Sequence, residues 1–226
     1  MGCGIQTGAG TVLNALKPEF GSSIAVFGCG TVGMSAIMAA RIAGCAKIIA
    51  VGGKDHTLAL AKELGATHTI NRKTCPDIAE EIKRITDGGA NYTIDTSGNV
   101  NFVRTALHCL APLGVEAVVG ITPPMEIDMF GELMAEGKTI TGVIEGAAQP
   151  KVFIPQMIEY YRQGNFPVDR IMSFYTKPEI IVQMCRAAFG MLIQIVGMPN
   201  FQNCEIAQGL PQALRASSLH SPSQLR

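Results

Sequence analysis

Along residues 22–144, short apolar runs alternate with stripes at helical spacing. Ser23–Phe27 reads as a buried strand, 31–43 as a helix closed by Gly44, and 46–51 as a second strand. Leu60, Ala61 and Leu64 share one face of a helix over 57–64, with Gly65 at its C-terminal cap. A short strand is expected at 68–70. Pro76 suits the first position of a helix carrying Ile78, Ile82 and Ile85. Asp87, Gly88 and Gly89 form a turn, followed by a strand at 92–95, a helix at 100–110 and strands at 115–119 and 138–144. This alternation predicts an α/β fold with a doubly wound, parallel, six-stranded Rossmann sheet whose ligands meet the carboxyl ends of the strands.

Helical spacing continues over 152–163, until Phe166-Pro167 breaks it. The chain divides on this reading into a segment 1–20, a dinucleotide-binding domain 21–150, a helical return 151–175 and an atypical tail 176–226. The end of the tail, from Ser217, is polar and without a core pattern, so it is expected to be disordered. No internal repeat is evident.

Chemistry first enters at Gly28-Cys29-Gly30-Thr31-Val32-Gly33, which follows the strand IAVF and opens the helix MSAIMAARIAG. Gly28 permits a tight turn, Gly30 leaves room for a pyrophosphate, and Gly33 lets the helix approach the strand. Amides of the helix start at Thr31 and Val32 then face the anion, and the helix dipole adds to the attraction. A packing turn that binds nothing is the bland alternative. S-adenosylmethionine-dependent methyltransferases share the glycines, but they usually carry an acidic residue near the first one, and this turn has none.

Nineteen positions after Gly33, where a carboxylate for the ribose of NAD is expected, stands Gly52. Losing that carboxylate removes its repulsion of a 2′-phosphate, and Lys54, assisted by His56, supplies positive charge. Charge therefore favours NADP over NAD. Two readings compete: Gly52-Gly53 is only a turn with Lys54 solvated, or Asp55 reaches back to the ribose.

Composition narrows the class without naming it. Hydrophobic residues make up 47% and charged residues 16%, which excludes a disordered chain. With 18 basic and 18 acidic residues and no long basic run, neither nucleic acid nor an anionic membrane surface is an expected partner. Uncharged stretches at 21–40 and 187–204 are interrupted by glycine or proline and are not expected to span a membrane. Seven scattered cysteines without a C-x-x-C pair read as reduced thiols in the cytoplasm, and no signal peptide is evident.

Several runs together resemble the zinc-dependent medium-chain alcohol dehydrogenases, and among them the aryl-alcohol dehydrogenases. They are GCGIQTGAG at 2–10, SSIAVFGCGTVGMSAIMAARIAG, AKELGATHTIN, VVGITPP at 118–124 and GVIEG at 142–146. The likeness extends from residue 2 to about Tyr175. It implies that segment 1–20 is a linker helix with Cys3 as one ligand of the catalytic zinc, and that Thr7 and Val32 pack near the nicotinamide. Val119, Gly120 and Ile121, with the backbone from Val143 to Glu145, would line the nicotinamide pocket, and Asn99 would lie near the adenosine. Pairing into a homo-oligomer through the cofactor domain follows from the same resemblance.

Departures are equally specific. The family's GroES-like domain, with its further cysteine and histidine ligands and four-cysteine zinc lobe, has no counterpart here; His56, His68, His108 and His220 all follow the glycine turn. After Tyr175 the family pattern is lost, as in a truncated form. The resemblance implies NAD(P)-dependent hydride transfer between an alcohol and an aldehyde. The alternative is a catalytically inactive dinucleotide-binding or dimerisation module. A short-chain dehydrogenase is set aside, since Tyr92, Tyr160, Tyr161 and Tyr175 all lack a lysine four positions on.

Overall fold

Strand β1 (Ser23–Phe27) is buried at every position, as a continuous apolar run covered on both faces requires. A computed structural model describes residues 2–171. In it β1 is flanked by β2 (Lys47–Gly52) and β4 (Ala90–Asp95), with β3 (His68–Asn71), β5 (Leu110–Val118) and β6 (Thr139–Gly142) extending outward. The order is β3-β2-β1-β4-β5-β6 and every pairing is parallel. The strand order reverses between β1 and β4, which opens a crevice at their carboxyl ends.

Helices cover both faces. Helix α2 (Thr31–Ile42) and α3 (Asp55–Leu64) pack with α1 (Cys3–Gly10) and α6 (Pro150–Arg162) over Ile24, Val26, Ile48 and Ile94. On the other side α4 (Ile78–Thr86) and α5 (Val100–His108) cover Ala25, Phe27, Ile49 and Val51. Helix α3 buries only its apolar stripe, Leu58, Ala61 and Leu64, whereas α2 is buried at every position from Gly33 to Ala40.

Several boundaries change, among them β5, which runs from Leu110 to Val118 where a strand is expected only at 115–119. Helix α4 does not begin at Pro76: Asp77 is its N-cap, its carboxylate accepting the Glu80 amide at 3.0 Å. A side-chain acceptor there satisfies an otherwise unpaired amide, which a proline start cannot do. Helix α5 stops at His108, because Leu110 already belongs to β5 and pairs with Ala90. Strand β6 is shorter than the apolar run around it, ending at Gly142.

Helix α1 and a π-helical turn at Thr11–Leu16 are joined closely to the sheet domain. The turn 145–147 has three consecutive residues at positive φ, Glu145, Gly146 and Ala147. Its centre presses on α1: a Cβ on Gly146 would stand 2.8 Å from the Gly10 α-carbon and 2.9 Å from the Thr7 carbonyl oxygen. The contact is main chain against main chain.

One carboxylate lies inside the fold. Glu116 of β5 is fully buried opposite Thr93 of β4, and neither of its oxygens has a hydrogen-bond partner. Burial, with the nearby charge of Asp95 adding to it, pushes its carboxyl up to about 8. No helix among the described residues is long and apolar enough to cross a membrane. The tail expected from 176 onward lies outside the described residues.

Candidate functional site

The corner between β1 and α2 is built by the absence of side chains. Gly28 sits at φ +107°, a conformation that L side chains rarely adopt, and its amide donates to the Val51 carbonyl at 2.9 Å. Gly33 lies so close beneath that an added Cβ would be 2.9 Å from the Gly28 carbonyl carbon. Gly30 differs from both: nothing lies within 4 Å of the position a Cβ would take. It is the N-cap of α2 and offers no side-chain cap, so no side chain meets the free amides of the first turn.

Beside this corner opens a cleft of about 510 Å³. The Gly28-Cys29-Gly30 turn, the β2 end at Val51, Gly52 and Gly53, and Lys54 and Thr57 form one side. Phe27 lies at the base, and Arg72, Lys73, Ser97, Asn99 and Phe102 complete the lining. No aspartate or glutamate contributes to it. The Cys29 thiol turns in to the Val51 carbonyl at 3.6 Å, and burial pushes it up to about 11. A Cβ on Gly52 would meet that sulfur at 2.9 Å and Leu58 Cδ2 at 3.0 Å, so a side chain at this position would have to displace both. Asp55 is engaged elsewhere, accepting from Asn71 Nδ2 at 2.6 Å.

Asn99 caps α5, its carboxamide oxygen accepting the Asn101 amide at 2.9 Å. The loop before it is tied down by buried Asp95, which accepts from the Ser97 hydroxyl at 2.6 Å and the Gly98 amide at 2.9 Å. Asp95 also receives, on its carbonyl, the amides of Val119 at 2.9 Å and Gly120 at 3.1 Å. Val119, Gly120 and Ile121 thus follow the end of β5 on the same edge of the sheet, with Ile121 70% exposed. They do not line the cleft, nor do Val143 and Glu145.

A second cluster forms where α1 begins. Gln6 Nε2 donates to Glu145 Oε2 at 2.7 Å, which, with the Cys3 thiol, holds that carboxyl below its ordinary range. The same carboxylate pushes the Cys3 thiol up, while a hydrogen bond with Thr7 opposes it. A Cβ at Gly4 would be 3.5 Å from Thr31 Cγ2 and 3.9 Å from Val32 Cγ2, so this cluster adjoins the first turn of α2. Catalytic zinc takes three protein ligands and an open position. Among the described residues no three histidine, cysteine, aspartate or glutamate side chains converge, and Cys3 with Glu145 supplies only two donors. The described residues do not fit the metal.

Of the residues singled out in the sequence, Gly28, Gly30, Gly52, Lys54 and Asn99 line the cleft and Thr31, Val32, Gly33 and Thr7 do not, while Thr57, Arg72, Lys73, Ser97 and Phe102 line it without having been singled out. Arg72 follows β3, which ends at Asn71, one residue beyond the strand expected at 68–70.

A six-stranded parallel sheet in this order, with an uncapped glycine corner at its switch point, defines a Rossmann-type domain. A family model described as zinc-binding dehydrogenase matches residues 31–161, and the chain belongs to that family. Geraniol dehydrogenase of Castellaniella defragrans is 37% identical over 183 residues, 80% of this chain and 49% of the relative. S-(hydroxymethyl)glutathione dehydrogenase of Paracoccus denitrificans is 33% identical over 181 residues, covering 76% and 48%. The crystal structure of benzyl alcohol dehydrogenase from Acinetobacter calcoaceticus superposes with a TM-score of 0.74 at 46% identity, covering 77% of this chain and 48% of that one. The chain spans about half the length of the relatives it matches.

Proposed function

We propose that this chain is the coenzyme-binding half of a zinc-type alcohol dehydrogenase, using NADP to interconvert an alcohol, of aryl type, and its aldehyde. The bound coenzyme supplies the hydride acceptor and donor, at its nicotinamide ring. Gly30 and the uncapped amides of Thr31, Val32 and Gly33 hold the pyrophosphate, with Gly28 shaping the turn. Asn99 sits at the adenosine end, and Val119, Gly120, Ile121, Val143, Glu145 and Thr7 surround the nicotinamide end. Cys3 corresponds by resemblance to one zinc-ligand position of the family, which the described residues alone do not complete.

The observation that carries this reading is the cleft itself: a side-chain-free seat at Gly30 before a helix start, beside Lys54 and without a carboxylate. Benzyl alcohol and geraniol are named for the relatives, which makes such alcohols the substrates to test first. Its compartment is the cytoplasm, in keeping with the free Cys3, Cys29, Cys45, Cys75 and Cys109. It pairs with a second copy through the coenzyme domain.

Titrating the full chain with NADPH and NADH, followed by nicotinamide fluorescence, tests the reading. Tighter NADPH binding is expected. A clear preference for NADH rejects NADP, and no binding of either rejects the coenzyme role.

The two-donor cluster at Cys3 favours a second reading, a catalytically inactive dinucleotide-binding or dimerisation module. Alcohol oxidation and aldehyde reduction with added zinc separate the two: turnover above background eliminates the inactive module.

A further inference from the structure

The cleft holds a cation that the glycine corner does not explain. Arg72 is the first residue beyond β3, and its amide donates to the Gly52 carbonyl at 2.8 Å, which fixes its backbone beside the end of β2. Its side chain crosses Gly53: a Cβ there would stand 2.8 Å from Arg72 Nε and 3.4 Å from Cζ. The glycine leaves the room in which the guanidinium lies along that backbone, and a side chain there would displace it. The other support is aromatic. Arg72 Cζ lies 5.6 Å from the centroid of the Phe102 ring, and that ring is set in turn against buried Phe27 at 6.2 Å.

Held this way, the guanidinium donates no hydrogen bond to a side chain and joins no ion pair among the described residues, unlike Arg84, Arg104 and Arg170. Its planar fork is therefore unspent, at the end of the cleft where β2 carries no carboxylate. Lys54 and Lys73 line the same cleft and add charge without a fixed geometry.

We propose that Arg72 is the specificity-determining residue of the coenzyme cleft, its guanidinium gripping the phosphate monoester on the adenosine ribose, with Phe102 and Gly53 as its positioning residues. This deepens the NADP reading and rests on it. A bidentate guanidinium–phosphate contact is directional, whereas lysine supplies a point charge. The discrimination between NADPH and NADH thus belongs to Arg72 more than to Lys54.

The test measures dissociation constants of NADPH and NADH for the full chain and for Arg72→Met, Arg72→Lys and Gly53→Ala. Arg72→Met is expected to weaken NADPH roughly ten- to a hundredfold, the scale of a lost charge-assisted pair, and NADH far less. Arg72→Lys should recover part of the loss. Gly53→Ala keeps the guanidinium but pushes it off its seat, so it should lower the NADPH preference as well. Equal loss of both nucleotides in Arg72→Met overturns the proposal, because that marks a pyrophosphate or structural role. An unchanged NADPH preference in Arg72→Met overturns it too, while leaving the NADP reading intact. If the unaltered chain prefers NADH, both the NADP reading and the Arg72 assignment fall.

Discussion

Gly33 stands directly beneath Gly28, with no space for even one carbon between its α-carbon and the Gly28 carbonyl. Strand β1 and helix α2 therefore meet at backbone distance, and the turn between them takes the one shape that leaves Gly30 facing the cleft. Gly33→Ala forces this corner apart. It should cost roughly 1–3 kcal/mol of stability and abolish coenzyme binding together, read by urea unfolding and nucleotide titration. Full-strength binding in the alanine variant would show that the approach is dispensable.

Gly30→Asp should separate stability from binding. Gly30 has an ordinary φ of −87° and open space around it, and aspartate is a favoured helix N-cap. Thermal stability should hold or rise slightly, while the new carboxylate occupies the place proposed for the pyrophosphate and repels it. NADPH affinity should fall at least about tenfold, the scale of an adverse charge in a partly enclosed site. Undiminished affinity would move the phosphate seat elsewhere.

Glu116 makes stability depend on pH in the direction opposite to most buried carboxylates with ion-pair partners. In the folded chain it keeps its proton up to about 8, against an ordinary 4.5. Its contribution is complete below 4.5, is lost as pH rises toward 8 and changes no further above that. The slope is at most about 1.4 kcal/mol per pH unit, since the folded state holds one more proton. Urea unfolding of the wild type and Glu116→Gln between pH 5 and 9 should show the two converging at the acid end and the variant pulling ahead at the alkaline end. Parallel curves would mean that Glu116 titrates normally.

Gly146→Ala tests the seam between α1 and the 145–147 turn. Gly146 has φ +68°, and an added Cβ would meet main-chain atoms of Thr7 and Gly10. A loss of about 2 kcal/mol or more is expected, from backbone strain plus overpacking, measured as a lowered urea midpoint. A midpoint within error of the wild type would show that the seam is loose.

The central strand β1, the α2 corner and the strand–helix alternation were legible in the residues because each has a local cause. Ser23–Phe27 is apolar throughout, and Gly28, Gly30 and Gly33 have three separate steric duties. The start of α4 was misread because Pro76 and Asp77 are both good start signals, and only the Glu80 amide chooses between them. The end of α5 was misread because Cys109 and Leu110 are as apolar as the helix before them, so periodicity gives no stop there. Arg72 was missed for a different reason. Its meaning depends on Gly53 and Phe102, which are distant in sequence and meet it only once β3 lies beside β2.

The seam at Gly10 and Gly146 has a mechanical consequence. Side chains can rotate away from one another, but main chains in contact cannot, so α1 is fastened to the 145–147 turn and not merely resting on it. Gly8 makes the same kind of approach to α2, where an added Cβ would stand 2.9 Å from the Val32 carbonyl carbon, so α1 keeps its offset from the first turn of α2. A hinge movement that shifted one would carry the other with it.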